Sequence, residues 1–258
     1  MPAVLRDVIA HLDATLEVGR FRDYAPNGLQ VEAFATVETI VTGVSASAAL
    51  LARAVELRAD LVVVHHGLIW GGGLTEVRGP MARRLRLLLE HEVSLAAYHL
   101  PLDAHPRLGN NVGLCDAIGL GLAREPFGEV KGVPIGLVGS WAQPVARDEA
   151  VARIAAGVGG SAAPRFVFPH GPERVRRVAV CSGAASDLLE AAAGAGCDLF
   201  LTGELAERAG DLAAELQVTL VAAGHYATEV FGPTRVADDL RRQFPGVDVQ
   251  FVPSPSPL

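Results

Sequence analysis

Apolar positions along the chain recur with two periods, and each change of period marks a new element. Between Pro2 and Val18, residues Leu5, Val8, Ile9, Leu12 and Leu16 fall near one face of a 3.6-residue helix, with Gly19 as a stop. A loop bearing Pro26, Asn27 and Gly28 follows. The pattern then predicts a strand over Glu38–Val44, a helix over Ser47–Arg58, a strand over Asp60–Val64, a helix over Pro80–His91 and a strand over Val93–Tyr98. The second half repeats this grammar, with strands over Pro134–Trp141, Arg177–Cys181, Asp198–Thr202 and Val218–Ala222. Between and after them lie helices over Arg147–Ala156, Ser186–Gly194, Ala206–Glu215 and one from about Ala227. Strands alternating with helices argue for an α/β fold paired in parallel through right-handed crossovers. The Gly- and Pro-bearing stretch Gly121–Val133 is the best candidate for a boundary between lobes.

Composition narrows the class of function. The chain is half hydrophobic and poor in aromatics, which suits buried strands under Ala- and Leu-rich helices. Its 22 Lys and Arg against 29 Asp and Glu give a formal charge of −7, and no stretch interleaves basic residues with aromatics, which argues against a nucleic-acid partner. Cys115, Cys181 and Cys197 are odd in number and lack C-x-x-C spacing, so neither a disulfide framework nor a thiolate zinc knuckle is indicated; reduced, buried thiols are expected. Arg6, Asp7 and Asp13 interrupt what would be the apolar core of a signal peptide, and other apolar runs break before the roughly 20 residues of a membrane span. No membrane partner and a cytoplasmic location are expected.

The chemistry gathers at three strand ends. Leu61-Val62-Val63-Val64 is a continuous apolar run, as in a strand buried on both faces, and it ends in His65 and His66 before Gly67. Adjacent side chains on a strand point to opposite faces, so both imidazoles serve one site only if the chain bends after Val64, as Gly67 allows. The pair is either a structural, hydrogen-bonded pair or a ligand pair. Asp103 follows the strand ending at Tyr98 and is either a cap or turn residue for the helix near Gly109 or a ligand at the same sheet edge. His99 and His105 are either orienting partners of ligands or polar loop residues. At the third end, His225 and Glu229 stand four positions apart, one helical turn, on one face.

The coincidence of three such ends is harder to explain by packing than any single member. Three imidazoles and two carboxylates, His65, His66, Asp103, His225 and Glu229, suit two divalent transition ions such as Zn, Fe, Mn, Co or Ni, and Glu229, or else Asp103, can bridge them. Other polar groups near strand ends are Asn27-Gly28-Leu29-Gln30, read as a turn; Ser182–Ser186, able to hold an anion on backbone N–H groups; and Glu204, a candidate catalytic acid or base.

Taken together, Asp23-Tyr24-Ala25-Pro26-Asn27-Gly28-Leu29-Gln30-Val31-Glu32, Val64-His65-His66-Gly67, His99-Leu100-Pro101-Leu102-Asp103, Thr202-Gly203-Glu204 and Gly224-His225-Tyr226-Ala227-Thr228-Glu229 resemble the GTP cyclohydrolase 1 type 2-like family, also described as NIF-three-like or dinuclear metal centre proteins. The resemblance spans nearly the whole chain in order. It implies two α/β lobes with mixed, largely parallel sheets and a dinuclear site in the cleft between them. Residues 1–126, completed by 223–258, would form the first lobe and 127–222 the second. It also implies metal ligands at the same five positions and a toroidal homohexamer.

The function expected on this basis is a metal-dependent hydrolase acting through a metal-activated water. If the substrate is GTP, that water attacks the imidazole-ring carbon of the purine and formate leaves. The competing reading is a non-catalytic metal-binding or regulatory protein. A dinucleotide-binding oxidoreductase is disfavoured by the missing glycine fingerprint after the first strand.

Overall fold

The computed structural model describes residues 2–159 and 166–256. It is a mixed α/β fold with mixed, partly parallel sheets, and it divides into two compact units, Met1–Leu102 with Gly232–Ser254 and Asp103–Phe231 with Pro255–Leu258.

Among the described residues, the first unit is built on a five-stranded sheet in the order Asp248–Phe251, Thr39–Ser45, Leu61–His66, Ser94–Ala97, Gly28–Val31. The first three pairings are parallel and the last is antiparallel. Val62 and Val64 of the central strand share an apolar cluster with Leu50, Leu51 and Ala54 of helix Ala48–Glu56 and with Leu88 of helix Gly79–Glu90. Each leucine fully removed from water there contributes about 2 kcal/mol. Ser47 sets the start of helix Ala48–Glu56, its side chain accepting the Leu50 N–H at 3.1 Å, as an N-cap serine should. Gly43 carries no side chain for a packing reason: a Cβ there would lie 2.7 Å from Leu50 Cδ2.

Three features of this unit differ from the sequence expectation. The central strand does not break at Val64; it continues through His66, whose register partner is Ser45. The Asn27–Gln30 segment is not only a turn, because Gly28–Val31 pairs antiparallel with Ser94–Ala97 as an edge strand. Asp248–Phe251 carries no strand signal in the sequence, its Asp and Gln masking the alternation, yet it pairs in parallel with Thr39–Ser45.

The second unit carries a six-stranded sheet among the described residues, in the order Glu125–Val130, Val133–Ala146, Arg174–Val180, Leu199–Thr202, Thr219–Ala222, Phe166–Pro169. Only Arg174–Val180 with Leu199–Thr202, and Leu199–Thr202 with Thr219–Ala222, are parallel; the other three pairings are antiparallel. The largely parallel expectation is therefore corrected here. One of the antiparallel pairings, Glu125–Val130 with Val133–Ala146, follows from Lys131 and Gly132, which have φ of 50° and 87° and make a two-residue reversal of the kind that joins hairpin strands.

The core of this unit gathers Trp141, Ile154, Val178, Leu201 and Val221 with Leu114, Cys115 and Ile118 of helix Asn110–Ala117 and the turn after it. That helix lies ahead of Gly121–Val133, so the compact unit begins at Asp103. The three cysteines are free thiols and all buried. No helix among the described residues is long and apolar enough to cross a membrane.

Candidate metal centre

In the first unit, His65 and His66 close the central strand at its C-terminal end, where the side chains of a parallel sheet can reach ligand. His65 is fully buried and His66 is half-buried, and their ring centroids lie 4.5 Å apart although both residues are in the strand. Gln30 fixes the chain just beyond them. Its Oε1 accepts the Leu68 and Ile69 N–H groups at 2.9 and 3.2 Å, and Gly67 leaves the room that the Gln30 amide fills.

The imidazoles are each hydrogen-bonded at Nδ1. His65 Nδ1 lies 2.9 Å from the Tyr98 carbonyl oxygen, which can only accept, so the proton sits on Nδ1 and Nε2 presents a lone pair. His66 Nδ1 is 3.0 Å from Ser45 Oγ. His99 Nδ1 donates to Asp23 Oδ1 at 2.7 Å, while the His99 backbone N–H donates to Asn27 Oδ1 at 2.7 Å. Burial raises the pKa of Asp23, but the hydrogen bond and charge of His99, with donors from Asn27 and Leu100, outweigh it and hold the carboxyl down at about 2. One ligand-capable atom from each of His65, His66 and His99 lies within 4.8 Å of the others.

In the second unit, Asp103 sits in the short helix Leu100–Ala104 and is buried. Its Oδ1 accepts from Asn110 Nδ2 at 3.0 Å and from Ser182 Oγ at 3.1 Å. Asn111 locks the other side of this network, accepting the Ser182 N–H at 2.8 Å and donating to the Ile135 carbonyl at 2.7 Å. Helix Asn110–Ala117 is capped by Gly109 with no side-chain hydrogen bond, so Asp103 is not its cap.

His225 opens the single-turn helix His225–Thr228, and Glu229, which follows it, is buried. Across this turn His225 Nε2 and Glu229 Oε1 are 3.2 Å apart, and His225 Nδ1 donates to Glu204 Oε2 at 2.8 Å. The Glu229 hydrogen bond raises the His225 pKa against the effect of burial, and with Glu204 brings it to about 9. Carboxylate oxygens of Asp103 and Glu229 lie within 4.8 Å of each other. Burial, with these two carboxylates, pushes the Cys181 thiol well above its ordinary pKa, so the sulfur here is a neutral thiol.

The residues read from the sequence are thus found at strand ends or in the turns after them. Of Asp23, Ser45 and Ser182, which hold three of the candidate donors, Ser45 is not marked out by the sequence pattern, and the other two lie in stretches that stand out for other reasons. Asp23 has a local signal, standing four positions before Asn27 in the same polar loop. Of the lesser candidates, His105 is a structural cap whose Nδ1 accepts the Leu108 N–H at 2.8 Å, and Ser186 Oγ accepts the Ala206 N–H at 3.0 Å.

Imidazoles with anchored Nδ1 atoms and buried carboxylates at the C-terminal ends of α/β strands define a protein with a possible transition-metal site. The model of the Duf34/NIF3 (NGG1p interacting factor 3) family matches residues 3–257, and the chain belongs to that family. The GTP cyclohydrolase 1 type 2 homolog of Pseudomonas aeruginosa is 40% identical over 257 residues, covering 100% of both chains. The homolog of the same name from Escherichia coli K12 is 41% identical over 246 residues, 95% of this chain and 96% of the other. Among solved structures, a protein described as ybgI, of unknown function, superposes with a TM-score of 0.92 at 39% identity, over 99% of this chain and 100% of that one. TTHA1606 from Thermus thermophilus does so with a TM-score of 0.87 at 32% identity, over 99% and 100%.

Proposed function

We propose that His65, His66, Asp103, His225 and Glu229 would together hold two divalent transition-metal ions, and that the chain is a hydrolase of the GTP cyclohydrolase 1 type 2 kind. The observation that carries this reading is the anchoring of the imidazoles: His65, His66 and His225 each have Nδ1 within hydrogen-bond distance of an oxygen, the arrangement that fixes ring orientation in metal-binding histidines. The donor chemistry fits as well. Two buried carboxylates as close as Asp103 and Glu229 repel each other, and a dication relieves that repulsion. Nitrogen and oxygen donors in this mixture select Zn, Fe, Mn, Co or Ni over Mg or Ca.

Bound divalent ions supply Lewis acidity, lowering the pKa of a coordinated water to near neutrality. The chain's own residues do the rest. Ser182 and Asn110 fix the oxygen of Asp103, and Gly183 leaves space for the Glu229 carboxylate. Glu204, the acid or base expected from the sequence, is engaged with His225 and acts as a positioning residue through it. A purine nucleoside triphosphate as substrate follows from the names of the relatives, and a toroidal homohexamer follows from the family resemblance.

The test is direct. Metal-loaded protein is incubated with GTP and a panel of nucleotides and phosphoesters, and product is followed by chromatography. A product that vanishes in Glu229→Ala supports the hydrolase; full metal occupancy with no turnover on any of them overturns it.

A further inference from the structure

We infer that Trp70 and Tyr24 form an aromatic platform in the first unit that stacks the flat ring of the substrate, a nucleobase. This rests on the proposed function in treating the substrate as a nucleotide, and adds to it the side chains that recognise the base.

Both rings stand at the imidazole end of strand Leu61–His66. The Trp70 ring centroid lies 5.8 Å from that of His66 and 5.1 Å from that of His99, and the Tyr24 centroid lies 6.4 Å from that of His99. Trp70 and Tyr24 meet His99 at 74° and 64°, so neither lies flat on the imidazole. Trp70 is 40% exposed and Tyr24 50%, which leaves aromatic surface open to solvent beside the histidines.

Such exposure is unusual for this chain. It has only two Trp and three Tyr, and Trp141 and Tyr98 are both buried. Leaving an indole and a phenol in water forgoes the free energy of burying them, yet both are held in place. Trp70 Nε1 donates to the Gly67 carbonyl at 3.1 Å, and the Gly71 N–H donates to the Tyr24 carbonyl at 2.6 Å. The two aromatic-bearing segments are thereby tied to each other and to the residue that follows His66. Gly71, Gly72 and Gly73 come next in the chain, and a Cβ at any of them would meet nothing within 4 Å. Packing does not demand glycine at Gly72, and the run brings no side chain that could fold over the indole. Rings fixed before a ligand arrives bind it at lower entropic cost.

The chemistry of the platform selects its ligand. Aromatic faces attract by dispersion and by their quadrupoles, which favour another flat π-system at stacking distance over a phosphate or a flexible chain. Every nucleobase has such a face, and a purine, with two fused rings, covers more of an indole than a pyrimidine does. The platform therefore holds the base while the polar part of the nucleotide remains for other groups.

The experiment uses the full chain, metal-loaded and metal-stripped, titrated with GMP and with ribose 5-phosphate as the control that lacks a base. Isothermal calorimetry gives affinity and tryptophan emission reports on the indoles. GMP should bind and quench the emission in both preparations, and ribose 5-phosphate should not quench it. Trp70→Leu should weaken GMP binding about tenfold or more, whereas Trp70→Phe, which keeps a ring, should stay within about threefold of the wild type. Quenching should vanish in Trp70→Leu, because the remaining Trp141 is buried. Tyr24→Leu and Tyr24→Phe should repeat the same order. Metal content per chain should be unchanged in all four variants, with circular dichroism reporting that each is folded.

No binding of GMP at millimolar concentration, equal affinity for GMP and ribose 5-phosphate, or wild-type affinity in Trp70→Leu overturns the inference. So does a Trp70 emission that acrylamide cannot quench in the free protein, which would mean that a second copy of the chain covers the indole. The two readings fail separately. GMP binding that depends on Trp70, in a protein that turns over no nucleotide, would leave the platform standing and remove the hydrolase. Turnover lost in Glu229→Ala but indifferent to Trp70→Leu would do the reverse.

Discussion

Glu229 Oε1 rests against Gly183, occupying the space that any side chain at position 183 would fill. The backbone of Gly183 also has φ of 64°, a conformation that costs an L-residue about 1 kcal/mol or more, so the position demands glycine twice. Gly183→Ala should therefore lower stability by roughly 2 kcal/mol and displace the Glu229 carboxylate. Differential scanning fluorimetry reads the first effect and metal content per chain the second. An alanine variant with wild-type melting temperature and metal content would contradict both.

Tyr98 offers a contrast in which packing and site separate. Its carbonyl anchors His65, whereas its hydroxyl donates to Asp13 Oδ1 at 2.8 Å. Burial, and then the Asp13 charge, push the phenol well above its ordinary pKa, so it remains a donor at all working pH values. Tyr98→Phe removes the hydroxyl and keeps the carbonyl. A stability loss of about 1–2 kcal/mol with unchanged metal affinity is expected from chemical denaturation and calorimetry.

The buried thiols make a prediction about pH. Burial raises Cys197 to about 11 and Cys115 to about 12, and raises Cys181 further through burial and its neighbouring carboxylates. At pH 8 the thiolate fraction of Cys197 is on the order of one in a thousand, so the native protein should not react with a disulfide reagent until unfolded in urea, when all three cysteines titrate. The sign for stability follows. Cys197 keeps its proton in the folded state, whereas the unfolded thiol loses it near the ordinary value of 9.0, so stability falls as pH rises from about 9 towards 11. Cys197→Ala should lack that increment, about 2 kcal/mol, in urea midpoints measured across the range.

How much of this is legible in the sequence depends on whether a feature is local. The strand ending at His65 and His66 announces itself because four consecutive apolar residues meet two imidazoles and a glycine. The turn-spaced His225 and Glu229 are similarly local, and the structure brings them to 3.2 Å. The hairpin at Lys131 and Gly132 is hidden inside a stretch whose glycines and prolines suggest a lobe boundary, since Lys is an unusual residue at positive φ. Asp23 is hidden for another reason. Its role depends on His99, 76 positions away, and no periodicity links a loop carboxylate to a distant imidazole.

The last prediction concerns Glu204, which reaches His225 Nδ1 at 2.8 Å although its own side chain is about half exposed. If it orients the imidazole, its effect belongs to metal affinity and depends on an oxygen acceptor more than on its charge. Glu204→Gln keeps the acceptor and should weaken metal binding about tenfold or less, while Glu204→Ala loses it and should approach a hundredfold. At saturating metal, both variants should recover the turnover of the wild type, because the residue acts through His225. A proton-transfer role gives a different pattern: Glu204→Gln would then be as slow as Glu204→Ala under full metal loading, with an altered pH profile. Calorimetric metal affinities measured beside turnover at saturating metal separate the two roles for each variant.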